Sequence, residues 1–280
     1  MDLKTADEVS KSDARKRGLM DWRRHYEPQA GFTPVIGPAA GGLKYISLGM
    51  LGLPKGQAFS RPADDSEVSL IVLSGVCDVA AADAEFVNVG GRRGFFDGKA
   101  AAVYLPRGAS AGIRAVTDVE IAVCSVPVPE SSGRPVLVEP GKVKTITLGE
   151  GILKRDASLL IHDDVPAQRT IVGETIHSSG GWAGYPPNKH DIDNMPIESA
   201  NEEVYLIQCD PIQGFGLLAI YDKDRLDEAY RVRNNDVVAI PRGYHPMVAG
   251  PGYRFGFLWL MAGASRPWKP ANDPDHAWAS

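Results

Sequence analysis

No stretch of this sequence reaches the roughly 18 uninterrupted apolar residues that a helix needs to cross a bilayer. Its opening segment, MDLKTADEVSKSDARKRGLMDWRRHYE, holds no continuous apolar run, so it reads as neither a signal peptide nor a membrane anchor. Cysteine is scarce. Cys77, Cys124 and Cys209 are odd in number and show no CxxC spacing, which excludes a disulfide framework and fits reduced thiols in a cytoplasmic protein. Basic charge is not in excess either. A net charge of −5 leaves no cationic face to neutralise phosphates and argues against a nucleic-acid partner. These absences point to a soluble, cytoplasmic protein whose partner is a small molecule. Its 280 residues, 44% of them hydrophobic, suffice for two small domains or one large one.

What the chain does contain is punctuation. Thirty glycines and 21 prolines break it into short β-rich segments such as VSLIVLSGVCDVAA, AAVYLPRG, GLLAIYD and VVAIPRG. In YRFGFLWLMAG, Tyr253, Phe255, Phe257, Trp259 and Met261 alternate with smaller residues, the period of a strand. Turn chemistry in YDKD, RNND and GPG separates such runs. The expected fold class is all-β, a sandwich or barrel.

The segments also repeat. EVSLIVLSG, from Glu67, resembles EVYLIQCDP, from Glu203, at an offset of 136 residues. AVYLPRGAS, ending at Ser110, resembles VVAIPRGYH, ending at His245, at an offset of 135. Two matches at nearly one spacing indicate a duplicated β domain. The expected division is an N-terminal arm over 1–29, a structural domain over 30–145 and a ligand-bearing domain over 146–280. VPVPESSGRPVLVEPGK is the junction. The arm is charged, and its pattern leaves helix and loose extension both open.

Chemistry concentrates in the second copy. In GYPPNKHDIDN, Asn188 and His190 share one face of an extended strand, with Lys189 on the other. Glu203 opens the next long strand with Tyr205 on its face, and PRGYHP delivers His245 from a tight turn. Two imidazoles and a carboxylate from separated strand ends are a usual set for a divalent first-row metal at a barrel mouth. Taken singly, each of these residues is more often packed or solvated; the order His, Glu, Pro-Gly turn, His favours a site. His177, in ETIHSSGG, is a conceivable further ligand, and the bland reading of a polar strand end is favoured for it.

That order resembles the metal signature of the cupins, small β-barrels that often occur in duplicate. The longer matches YPPNKHD, EEVYLIQCDPIQGFG, VRNNDVVAIPRGYHPMVAGPGY and NDPDHAW resemble the 5-deoxy-glucuronate isomerase family of inositol catabolism, itself related to the 4-deoxy-5-ketouronate isomerases of pectin breakdown. The resemblance covers nearly all of the chain after the first 30 or so residues. It implies a bicupin fold, a divalent metal (Zn, Mn or Fe) and an aldose–ketose isomerisation of a sugar acid through an enediol. It also implies a homodimer or higher homo-oligomer. His190, Glu203 and His245 match three ligand positions. Asn188 departs from the family's YPPHKHD, standing where a histidine is usual; its neutral amide oxygen suits Mn, Mg or Ca better than Zn.

The implied chemistry needs a metal to polarise the carbonyl, a proton shuttle and a cation for the remote carboxylate. Arg242 and Lys189 are the candidate cations. Tyr205, Tyr244, Gln213 and Glu203 are the candidate polar groups, with Tyr205 and Glu203 placed at the chemistry. Three alternatives stay open: a bicupin that binds a sugar without turning it over, a uronate isomerase of different substrate, and a cupin dioxygenase.

Overall fold

The computed structural model describes residues 22–38, 41–131 and 133–279. They form antiparallel β-strands and three short 3-10 turns, Pro140–Lys142, Gly151–Leu153 and Pro274–Ala279. The strands make two barrels, each from a larger sheet and a smaller one. In the first barrel, the larger sheet runs in the order Val136–Val138, Ala101–Leu105, Ser66–Ser74, Val119–Pro127, Ser47–Leu53, Gly31–Ile36. Its smaller sheet runs Ala58–Arg61, Ala111–Ala115, Val76–Ala81, Ala84–Gly90.

The second barrel repeats this plan. Its larger sheet runs Asp236–Ile240, Glu198–Asp210, Arg254–Gly263, Ile171–His177, Arg155–Ile161, Lys144–Leu148. Its smaller sheet runs Trp182–Ala183, Met247–Ala249, Phe215–Tyr221, Asp227–Arg233. Strands change barrel at the turn Pro140–Lys142, a few residues before the expected 145/146 boundary. Residues 1–21 of the expected arm lie outside the described residues. The rest is not loose: Arg23–His25 pairs antiparallel with Asp236–Val238, so the N-terminal segment adds an edge strand to the far barrel. Trp22 and Tyr26, on either side of it, are buried.

Cross-strand pairing corrects the repeat. Val68 lies opposite Leu105 in the first barrel, and Glu203 lies opposite Ile240 in the second. Both pairs are 135 residues apart, as are Ser110 and His245. A single offset of 135 therefore holds, and the counterpart of Glu67 is Glu202, not Glu203. Side-chain roles agree. The Glu67 carboxylate accepts the amides of Gln168, Arg169 and Thr170 at 2.7, 2.9 and 2.8 Å. The Glu202 carboxylate accepts those of Lys44, Tyr45 and Ile46 at 2.7, 2.8 and 2.7 Å. Each barrel thus sends a buried carboxylate out of its larger sheet to tie down backbone of the other.

Between these reciprocal clasps lies the main hydrophobic core, where the outer faces of the two larger sheets meet through Ile71, Tyr104, Ala122, Leu206, Leu258 and their neighbours. Arg92 crosses it to grip Glu174 with two bonds of 2.9 and 2.6 Å, both side chains almost fully buried. The first barrel's interior is a separate apolar cluster around Leu51, Val68, Leu70, Val103, Ile113 and Ile121. The three cysteines are buried free thiols, each with its pKa pushed up to about 12 chiefly by burial. Among the described residues, no helix is long and apolar enough to cross a membrane.

One glycine shapes the second barrel. A Cβ on Gly173 would meet the Trp259 indole at 2.2 Å, so only glycine lets that ring lie across the strand. The indole Nε1 then donates to Thr175 Oγ1 at 3.0 Å.

Candidate metal centre

Pairing fixes which side chains enter the second barrel. Glu203 opposes Met261, Tyr205 opposes Trp259, and Ile207 opposes Phe257. Directly opposed residues share a face, so Glu203 and Tyr205 point inward while Glu202 and Val204 point at the first barrel. The large interior residues of Arg254–Gly263 are those whose alternation marked a strand in the sequence.

The two imidazoles arrive from the other side. His190 follows the short strand Asn188–Lys189, and its Nδ1 lies 2.9 Å from the Asn201 carbonyl. His245 follows the PRG turn, and its Nδ1 lies 2.8 Å from the Gly243 carbonyl. Gly243 has a φ of 93°, which favours glycine there. A ring that donates Nδ1–H to a carbonyl keeps Nε2 as its donor atom toward a metal. Both Nε2 atoms meet one carboxylate oxygen, Glu203 Oε2, at 3.2 and 3.3 Å.

All three ligand atoms lie within 4.8 Å of one another, and all three residues are buried. Donors about 2.0–2.2 Å from a shared cation stand roughly 3.0–3.5 Å apart, so the imidazole-to-carboxylate separations suit one. The residues present fit a divalent metal. Electrostatics agree with the geometry. Burial would raise the Glu203 pKa, but hydrogen bonds and charge from His190 and His245 outweigh it and bring it down to about 2. Burial opposes a charge on His190, and the bond to Glu203 wins, moving that pKa up. Tyr205 is driven well above the ordinary phenol value by burial and by the Glu203 charge, so its hydroxyl keeps its proton.

The remaining sequence candidates are distributed as follows. The half-buried Asn188 donates through Nδ2 to the Pro186 carbonyl at 3.2 Å, and its backbone carbonyl accepts the His245 amide at 3.4 Å. Lys189 turns the other way: its ammonium holds Asp191 at 2.6 Å and both Glu198 oxygens at 2.8 and 3.0 Å. Asp191 in turn accepts the Gly243 amide at 2.6 Å, tying the segment of His190 to the turn of His245. Tyr244 shares this outer side, its ring centroid 6.0 Å from the Lys189 ammonium. Arg242 is half-exposed and paired with Asp222. Gln213 is exposed in the turn after Asp210, and Asp210 itself is already seven residues, or about 23 Å of strand, beyond Glu203. His177 is buried, but its ring packs between Phe255 and Phe257 at 5.5 and 5.4 Å and does not join the three ligands.

One interior residue escaped the sequence reading. Arg155, opposite His177 across the sheet, turns its guanidinium into the same barrel. The signal was present as alternation in RDASLL, where Arg155, Ala157 and Leu159 share a face.

Paired barrels of this kind in one chain define a bicupin, and among the described residues the second carries the His–Glu–His cluster. A solved oxalate decarboxylase of Lactobacillus farciminis shares this fold at a TM-score of 0.67 and 12% identity, covering 91% of this chain and 89% of its own. The chain belongs to the KduI/IolB family, which it matches over residues 23–279. An IolB-like protein from Salmonella typhimurium LT2 superposes with a TM-score of 0.87 at 33% identity, covering 92% of this chain and 98% of that one. Curated relatives named 5-deoxy-glucuronate isomerase include one from Geobacillus thermodenitrificans, 35% identical over 256 residues (91% of this chain, 93% of the relative). Another, from Bacillus subtilis strain 168, is 35% identical over 239 residues (84% and 88%).

Proposed function

We propose that the protein is a metal-dependent ketol-isomerase converting 5-deoxy-D-glucuronate to 5-dehydro-2-deoxy-D-gluconate. The observation that carries this is the meeting of His190, Glu203 and His245 inside one barrel of a KduI/IolB chain. They would hold Zn, Mn or Fe, and Asn188 moves the preference away from zinc if its amide oxygen turns to the ion. Bound there, the cation supplies the Lewis acidity that polarises the substrate carbonyl.

The chain's own groups divide the rest. Glu203, ionised far below neutral pH, is a ligand and a poor proton acceptor. Tyr205, protonated and beside it, donates a hydrogen bond to a substrate oxygen and is the candidate proton relay. Lys189 and Tyr244 act from outside the barrel by fixing the two ligand segments, and Arg242 by holding the Asp222 turn. Gln213 takes no part. A homo-oligomer built on exposed strand edges accompanies this reading.

The test is incubation of the metal-loaded protein with 5-deoxy-glucuronate in D2O, followed by proton NMR. Appearance of the 2-ketose with deuterium at C1 supports the reading; an unchanged aldose overturns it. Asn188 favours one second reading, a bicupin that binds the sugar acid without turnover, and saturable binding with no ketose would select it.

A further inference from the structure

We propose that Arg155 and His177 form the subsite for the substrate's carboxylate end, opposite the three metal ligands in the same barrel. The inference rests on the sugar-acid isomerase reading and names the cation which that reading requires. Arg155 and His177 are cross-strand partners at the ends of Arg155–Ile161 and Ile171–His177, which places their Cβ atoms about 4.5–5.5 Å apart on one face. That face is the interior one, because His177 also opposes Phe255, and Phe255 opposes Cys209, which by alternation shares the face of Glu203 and Tyr205 further along the same strand.

Both side chains carry unspent hydrogen-bonding capacity. A guanidinium has five N–H donors. Arg155 uses Nη1 on the Leu153 carbonyl at 2.9 Å, and among the described residues no acidic side chain pairs with it. Arg155 is half-buried, so its remaining donors are open to a ligand as well as to water. His177 Nδ1 lies 3.3 Å from the Gly181 carbonyl, which leaves Nε2 as an acceptor; that atom is buried and has no partner. Arg155 offers donors for a carboxylate, and His177 offers an acceptor for a sugar hydroxyl.

The wall between the two ends is aromatic and continuous. Ring centroids run from His177 to Phe257 at 5.4 Å, on to Tyr205 at 4.3 Å, and on to His245 at 6.2 Å. Arg155 lies near enough to Tyr205 and to His177 to influence their ionisation. A uronic acid reacts at C1 and C2 and carries its carboxylate at the other end of the carbon chain. The barrel has the matching polarity: metal ligands at one end, a cation without an acidic partner at the other.

The test compares 5-deoxy-glucuronate with its primary amide in the wild type, Arg155→Lys and Arg155→Gln, with metal content measured for each. The wild type is expected to favour the acid by about 100-fold in kcat/KM, carried by KM, since a bidentate charge-assisted pair is worth that much. Arg155→Gln is expected to bring acid and amide within about threefold at unchanged metal content, and Arg155→Lys to recover part of the preference. His177→Ala should raise KM about tenfold for both compounds. A wild type that turns over the acid, with Arg155→Gln keeping its preference or losing both substrates equally, would overturn the subsite and leave the isomerase reading standing. A wild type that isomerises neither compound fails that reading and this inference with it.

Discussion

The two barrels share strand order, register and a reciprocal glutamate clasp, yet their interiors are opposites. Where the second barrel has Glu203, Tyr205 and His245, the first has Val68, Leu70 and Ser110. Leu70 faces Val123 across the sheet, as Tyr205 faces Trp259. The first interior is a closed apolar core, whereas the second buries a carboxylate, imidazoles and a phenol, with the half-buried Arg155 at its edge. One scaffold therefore serves two ends, and the difference rests on a handful of inward positions. The outward positions, which clasp the barrels together, are alike. The first barrel also has an open groove of about 590 Å³ along its smaller sheet, lined by residues such as Phe59, Phe86 and Arg114 and by none of the metal ligands.

The comparison is broken most severely by exchanging what the two interiors hold. Glu203→Gln is expected to cost on the order of a thousandfold in kcat/KM, because it removes the charged ligand and several kcal/mol of electrophilic stabilisation. Steady-state assay with metal analysis checks it. The converse change, Val68→Glu, places a carboxylate in the apolar barrel without partners. It should destabilise the fold by roughly 3–5 kcal/mol, read by denaturant unfolding, with the second barrel's ligands untouched.

Cutting the shared interface tests whether the barrels stand together. Glu174→Gln strands the buried Arg92 guanidinium and is expected to cost about 3–5 kcal/mol. Differential scanning calorimetry should then show the two barrels melting separately or earlier.

Acid sharpens the contrast, because among the described residues the buried imidazoles lie in the second barrel. Burial holds His177 down at about 4 against an ordinary 6.5. The unfolded chain therefore takes up this proton first, and stability is full above pH 6.5 and falls toward pH 4. The loss attributable to this residue is about 3 kcal/mol. Equilibrium unfolding at several pH values should show it, and His177→Phe should flatten that part of the profile. The smallest effect is expected from Asn188→His, which supplies an imidazole where an amide now stands. It should tighten Mn²⁺ or Zn²⁺ binding by about tenfold, measured by competition with a chelator.

Much of this was legible in the sequence for simple reasons. Strand alternation at Tyr253–Met261 reports an inward face directly, and the order His190, Glu203, PRG, His245 was legible although Glu203 sits within the strand Glu198–Asp210 rather than at its start. Register was the weak point. EV at Glu67 and EV at Glu203 matched by letters at an offset of 136, whereas the sheets pair at 135, and a one-residue slip exchanges inward for outward faces. Glu202 was thereby overlooked as the interdomain clasp, and Val68 as the silent counterpart of the ligand. The edge strand at Arg23–His25 was hidden because its charged residues lie on an exposed edge, where pairing leaves no apolar pattern. Arg155 was overlooked although the alternation of RDASLL puts it on one face with Ala157 and Leu159, because a charged residue at a strand start reads as solvated. Lys189 was singled out for its place beside His190, and the alternation that turns it outward was equally visible.

The central claim is that the second barrel alone gathers one cation through two imidazoles and a carboxylate. Titration of chelator-stripped protein with Mn²⁺, followed by electron paramagnetic resonance, tests it most directly. The account predicts one bound ion per chain, lost in His190→Ala, Glu203→Gln and His245→Ala and retained in Val68→Ala. A chain that binds no ion, or binds it equally well after those three substitutions, would contradict it.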